Sequence, residues 1–318
     1  MRVLFGSLAA AAALTLSVAP AIAKEKEAVK IEKAESFKGL SQVVIGQFSV
    51  VYLTKKVDYD GGGFLSASSK GKAIGHLSGL SNEDFQATTD AIYDDFLKQL
   101  ATHGVTVADD SAFKANKYYA KLKPEAQANK VDILQKKEDH ADGLAFWPQQ
   151  LGRNNNMMLN LRMMDSNMAN TYTAEYDYAR NAKVPVLNVV YYVDFAKPAK
   201  SEGGGLFQNI DVAAGLAVSH FGTQVQLMDT TGKVAKLILQ TPLEEGGDFA
   251  TIKETTSGLT KAGQVVGVLA SGIFGGKAGG MSARFDYQVV DTAAYREKAV
   301  SAANKTSDLF LRQIDTIR

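Results

Sequence analysis

Cysteine is absent from the 318 residues. That excludes disulfides and thiolate metal sites, and it excludes a lipoprotein, whose acyl chains need a Cys directly after the cleavage point. A surplus of charge is missing too, with 35 basic residues against 34 acidic ones. Removal of Arg2 with the leader described below makes the balance even, which argues against nucleic acid as a partner, since counterion displacement needs a basic face. Histidine is scarce and scattered. His76, His103, His140 and His220 have no second histidine at the spacing that puts two imidazoles on one metal. A zinc enzyme is therefore not expected.

Catalytic signatures are equally thin. No Gly-x-Ser-x-Gly elbow occurs, so the strained turn that exposes a hydrolase nucleophile has no candidate. Ser69-Lys70-Gly71-Lys72 matches Ser-x-x-Lys, but it lies in a polar, glycine-rich stretch instead of at a helix start, and its Lys-Thr-Gly companion is missing. Gly275-Gly276-Lys277 resembles the end of a phosphate loop, yet Ser271 stands where the first glycine belongs and Ala278 where the Mg²⁺-binding hydroxyl belongs. Glu138-Asp139-His140 with Asp142 is the densest group of potential ligands, and it reads as a solvated turn. No residue is named here as catalytic, cofactor-binding or metal-ligating, and no cofactor is implied.

What is present begins with the leader. Arg2 precedes an apolar stretch from Val3 to Ala13, extended by Leu14, Leu16 and Val18; Pro20 then breaks it, and Ala21-Ile22-Ala23 supplies the small residues a signal peptidase accepts. Residues 1–23 are read as a signal peptide cleaved after Ala23, which places the protein in a periplasmic or extracellular space. A retained anchor needs about 20 apolar residues, and the Lys24-Glu25-Lys26-Glu27 run follows too soon. Residues 24–41 then read as a charged tether. With 46% apolar residues, the remaining 42–318 is expected to form one globular domain.

Strand and helix signals alternate irregularly through that domain. Gln42 to Leu53 carries a β-branched and aromatic run that predicts a central strand. A long polar loop is expected up to Gly79. Ser81 with Asp84 resembles a capping pair, after which Phe85, Ile92, Phe96 and Leu100 share a helical face and Gly104 ends the helix. Val105 to Val107 predicts a short strand, Asp109-Asp110-Ser111 the cap of a second helix, and the polar stretch up to His140 a third. Ala141 to Trp147 and Pro185 to Phe195 predict buried strands, with a helix carrying Tyr172, Tyr176 and Ala179 between them. Two runs flanking Asp229-Thr230-Thr231-Gly232-Lys233 predict a hairpin, Ser282 to Val290 a further strand, and Tyr295 to Ile317 a terminal helix burying Leu309, Phe310 and Ile314. The fold class is α+β (or α/β), a mixed sheet flanked by helices.

Two features point to contacts. Gly263 to Phe274 is apolar with Gly-x-x-x-Gly spacing; it is far short of a membrane span, and it reads as a membrane-surface or subunit contact, or else as core. Tyr172, Tyr176, Tyr178, Tyr191 and Tyr192 combine apolar rings with polar tips, which suits a ligand groove or plain packing. The expected function is that of an exported, non-catalytic envelope accessory protein binding a partner protein, a wall component or a small apolar ligand. Two other classes stay open: a periplasmic subunit of an assembly or secretion complex, and a hydrolase with an unrecognised site.

Val43-Val44-Ile45-Gly46-Gln47-Phe48, Asp84 to Val107, Ala141-Asp142-Gly143-Leu144 and Gln226 to Val234 together resemble periplasmic proteins of the curli-secretion-channel type and the lipoprotein activators of cell-wall synthases. In that resemblance they stand for an opening strand, a helix with a short strand, an Ala-Asp strand and an Asp-x-x-Thr-Gly-x-Val hairpin. It implies an α+β scaffold and an accessory role in the envelope. The lipidated Cys is missing, as is an amphipathic strand pair for a transmembrane barrel, so a channel is not implied.

Overall fold

The computed structural model describes residues 28–60, 71–122, 129–136, 139–152, 166–196, 200–202, 209–256 and 282–318. The leader up to Ala23, the Ser69-Lys70 pair, Gly203-Gly204-Gly205 and the stretch from Gly263 to Phe274 lie outside them. The described residues form an α+β fold built on a 13-stranded mixed sheet. Among them, no helix is long and apolar enough to cross a membrane.

The organising strand is β2, Gln42–Asp60. It lies parallel to β7, Val186–Ala196, and antiparallel to β3, Gly71–Ser78, and to β6, Asp139–Phe146. The ladder extends from β7 through β11, Gln224–Met228, and β12, Val234–Leu239, to β1, Val29–Glu32. In the other direction it runs from β3 to β15, Ser282–Val289, and β14, Ala250–Glu254. Smaller strands complete the order: β4, Thr106–Val107, beside β2; β5, Asn129–Lys136, beside β6; β8, Lys200–Glu202, paired with β9, Asn209–Asp211; and β10, Ala214–Val218, between the end of β7 and β13, Leu243–Glu244.

One irregularity in β2 governs the core. Ile45 pairs with Leu187 and Gln47 with Asn188, so Gly46 is an extra residue opposite an unbroken β7. Such a bulge shifts the alternation of side chains by one. Without it, Val43 and Ile45 would share a face with Gln47 and Ser49. With it, Val43, Ile45, Phe48, Val50 and Tyr52 all join one core together with Leu187, Val189, Tyr191 and Val193.

That core is closed by two helices. In α1, Asn82–Thr102, the face bearing Phe85, Ile92, Phe96 and Leu100 is buried, and the Ser81–Asp84 capping box is formed in both directions. Gly104 follows at φ 70°, a conformation that favours glycine. The terminal helix α4, Thr292–Ile317, starts three residues before the expected position and buries Tyr295, Ala299, Ala302, Ala303, Phe310 and Ile314, while Leu309 is half-buried. Two tyrosines of the sheet pin these helices: Tyr52 hydroxyl meets Thr89 Oγ1 at 3.0 Å, and Tyr191 hydroxyl meets Ser307 Oγ at 2.8 Å. Buried phenols need such partners.

The opposite face carries α3, Ser166–Ala182. Its Ala174, Tyr178 and Ala179 pack on Val44, Val186 and Met228, with Phe113, Tyr119 and Leu122 beside them. The chain from Val29 departs from the tether reading, because β1 pairs with β12 and Phe37 is fully buried. Lys30 and Glu32, which looked like solvated leader, are the exposed half of an edge strand. The expected second helix is short, α2, Ser111–Lys114, followed by a 3-10 turn at Tyr119–Lys121. The stretch before His140 is not helical: β5 and β6 form a hairpin there. Its polarity suits a strand pair as well as a helix, and pairing with β2 decides the matter. The long loop expected up to Gly79 is likewise shortened by β3.

A Cβ on Gly46 would fall 2.5 Å from Val186 Cγ1 and 2.6 Å from Asn188 Oδ1. Gly46→Ala is therefore expected to lower unfolding stability by about 1–3 kcal/mol, read as a shift in the urea midpoint.

Candidate functional site

The side of the sheet under α3 holds a polar seam within apolar surroundings. Helical spacing places Thr171, Ala174, Glu175, Tyr178 and Ala179 on one buried face of α3. Glu175 therefore enters the interface between helix and sheet. It meets Gln47, which the bulge turns to this side, and Asn188, the polar residue in the otherwise apolar run of β7. Gln47 Nε2 donates to Glu175 Oε1 at 2.9 Å, and Asn188 Nδ2 lies 3.0 Å from both carboxylate oxygens. Asn188 Oδ1 is buried with no donor. Among the described residues, no cation stands among the partners of this carboxylate. Burial pushes the Glu175 carboxyl up to about 7, and the amide donors of Asn188 and Gln47 offset only part of that.

The outward face of α3 is aromatic and basic. Tyr172, 42% exposed, stacks on Tyr176 with ring centroids 6.3 Å apart and planes 19° apart. Arg180 lies over the Tyr176 ring, with Cζ 5.2 Å from its centroid, and donates to the Tyr176 hydroxyl. Lys183 is exposed directly after the helix, at φ 58°. Tyr176 also covers the turn between β11 and β12: a Cβ on Gly232 would fall 2.2 Å from its ring, and Gly232 sits at φ 88°. The exposed Lys233 follows it.

That turn explains the Asp-x-x-Thr-Gly pattern as architecture. Asp229 Oδ1 accepts from Thr231 N at 2.8 Å, Thr231 Oγ1 at 2.7 Å and Lys233 N at 2.9 Å, while Oδ2 accepts from Ser36 Oγ at 2.6 Å. Burial opposes ionisation of this carboxyl, yet its donors prevail and hold it below the usual carboxylate range.

A second buried charged group lies where β2 leaves β7 for β3. Lys56 Nζ reaches Asp194 Oδ2 at 2.7 Å and the Ala196 carbonyl at 3.0 Å, and Asp194 Oδ1 accepts from Ala196 N at 3.2 Å. Each charge is matched, which suits a structural tie between diverging strands.

The candidates read from sequence are dispersed. His76 and His220 are exposed on β3 and before β11, His103 bonds Asp315 at 2.5 Å at the end of α1, and His140 lies in β6. Asp142 pairs with Lys55 at 3.3 Å. Among the described residues, no three His, Asp or Glu side chains converge as a metal would require. The five tyrosines do not line one groove. Tyr191 points to the α4 side, Tyr178 is packed under α3, and Tyr192 is buried against Gly222. Only Tyr172 and Tyr176 share a surface. Glu175 was not singled out from sequence, although its place on the buried face of the helix, with Asn188 inside an apolar strand, is a legible signal.

No family model, no curated protein and no solved structure matches the chain.

The raised carboxyl fixes the sign of a pH effect. Unfolded chains release the Glu175 proton near 4.5, whereas the folded protein holds it to about 7. The stabilisation is complete below the lower value and is lost as pH rises through the upper one, a change on the order of 3 kcal/mol. Urea unfolding at about pH 5 and about pH 8 is expected to show this loss in the wild type relative to Glu175→Gln.

Proposed function

We propose that this is an exported envelope accessory protein that works by binding, and that the outer face of α3 is its contact with a partner protein bearing an acidic surface. The single observation that carries the reading is the stacked and exposed Tyr172–Tyr176 pair with Arg180 over it. Tyr and Arg are enriched among the residues that dominate protein contacts, Tyr because it buries large area at little cost in conformational freedom and Arg because its planar guanidinium stacks and donates several hydrogen bonds. Lys183 and Lys233 add positive charge at the same end of α3. The carboxylates nearby are engaged: Asp177 with Asn116 at 2.9 Å and Asn181 at 2.9 Å, and Asp229 within its turn. Among the described residues, the carboxylates near this face are thus hydrogen-bonded, and the exposed charges Arg180, Lys183 and Lys233 are positive, which favours steering of an acidic partner.

Export is supported by the pattern of Arg2, the apolar run and Ala21-Ile22-Ala23. The resemblance to accessory proteins of the envelope implies a scaffold of this α+β class; without the lipidated Cys of those lipoproteins, this chain would act through its folded surface. On this reading the Asp229 hairpin and the Lys56–Asp194 pair serve the scaffold, and α3 serves the partner.

Intact-mass measurement of protein purified from the envelope of its host is expected to give residues 24–318. A mass that includes residues 1–23 would remove the export reading.

A photo-crosslinking phenylalanine analogue at position 172 is expected to form a defined adduct in native envelopes. The same analogue at Arg312, exposed on α4 across the sheet, is expected to form none. Combining the first with Arg180→Glu and Lys183→Glu should abolish the adduct. Its persistence after charge reversal would count against an acidic partner on this face.

A further inference from the structure

Glu175 takes no part in the outer face of α3; it lies in the interface between that helix and the sheet. Among the described residues, the groups that meet it are uncharged. From β2 it meets Gln47, with Ser49 on the same face; from β7 it meets Asn188; and β11 contributes Gln226 opposite Asn188. The charged residues on elements packed around α3 are engaged elsewhere. Asp177 bonds Asn116 and Asn181, Arg180 bonds Tyr176, and Asp110 pairs with Lys114. Asp109 accepts from Ser111, Lys117 and Lys121 lie over Tyr118, and Asp229 is held by Ser36, Thr231 and Lys233. An ionised Glu175 is thus a buried charge held by amides alone, which is costly. A neutral one needs an acceptor for its O–H. The buried acceptor in this seam that lacks a donor is Asn188 Oδ1, and a half-turn of the Asn188 amide would present it to the carboxyl.

We propose that Glu175 is a proton-operated latch for α3: the neutral carboxyl holds the helix on β2 and β7, and ionisation loosens it together with its Tyr172 face. The same shift that raises this carboxyl to about 7 means that the charged form opposes the docked helix and the neutral form does not. Helix α3 is the element affected, because it supplies the carboxyl while the sheet supplies the amides. Helices α1 and α4, on the other side of the sheet, bury no carboxyl without a counter-charge against it among the described residues; where they meet each other, His103 contacts Asp315 and Asp308. That the latch regulates binding rests on the reading of α3 as a contact surface; the loosening itself does not.

Hydrogen exchange of the protein without partner tests the loosening directly. Between about pH 5 and about pH 8, after correction for intrinsic exchange, the opening of α3 is expected to rise about a hundredfold relative to α1 and α4. Glu175→Gln should remove that rise. A wild-type α3 whose protection follows that of α1 and α4 at every pH overturns the latch, as does a rise that survives in Glu175→Gln. If that variant does not fold, the comparison of helices within the wild type decides alone. Crosslinking at position 172 is a separate readout. A lost adduct with a pH-dependent α3 removes the contact reading only, and a retained adduct with a pH-independent α3 removes the latch only.

Discussion

The extra residue at Gly46 is the constraint from which the two faces of this sheet follow. A strand offers its side chains alternately to either side, so a single insertion exchanges the faces of everything beyond it. Here the exchange keeps Val43 and Ile45 in register with Phe48, Val50 and Tyr52, and it directs Gln47 toward α3. One side of β2 is thereby apolar along the length covered by α1 and α4. The other side is apolar at Val44, polar at Gln47 and Ser49, and apolar again at Val51 and Leu53. Bulges in parallel pairs are uncommon, and this one needs a glycine, because Val186 and Asn188 occupy the space a side chain would fill.

The two buried charged groups differ in a way that separates scaffold from device. Lys56 and Asp194 neutralise each other and use a backbone carbonyl and a backbone N–H as well, so the cost of taking them from water is met locally. Glu175 has three amide contacts and, among the described residues, no counter-charge. The first arrangement carries its own counter-charge; the second depends on whether its carboxyl holds a proton. Asp229 illustrates a third case, a carboxylate kept ionised by the hydroxyls and N–H groups of its own turn and of Ser36.

Much of the fold was legible from local pattern. The face of α1 with its capping box, the strand through Val50, the apolar run of β7 and the hairpin around Asp229 all stand where periodicity and turn chemistry put them. The departures have a common origin. Val29 to Glu32 looks like charged leader, and Asn129 to Lys136 looks like polar helix, because the charged residues in each segment mask a strand that only its partner strand reveals. The tyrosines illustrate the same limit: nearness in sequence grouped five of them, and the sheet assigns them to different faces.

Sequence by itself determined the absence of thiol chemistry, the near-even balance of 35 basic and 34 acidic residues, the α+β class and the amphipathic faces of the helices, since each depends on composition or on spacing within one segment. Tertiary structure alone decided that Glu175, Gln47 and Asn188 meet, that Gly46 is supernumerary, and that Tyr172 and Tyr176 stay outside while Tyr178, Tyr191 and Tyr192 are buried. The physical reason is that a carboxyl's behaviour and a side chain's exposure belong to neighbours far along the chain, 128 residues apart for Gln47 and Glu175. No local pattern encodes that distance.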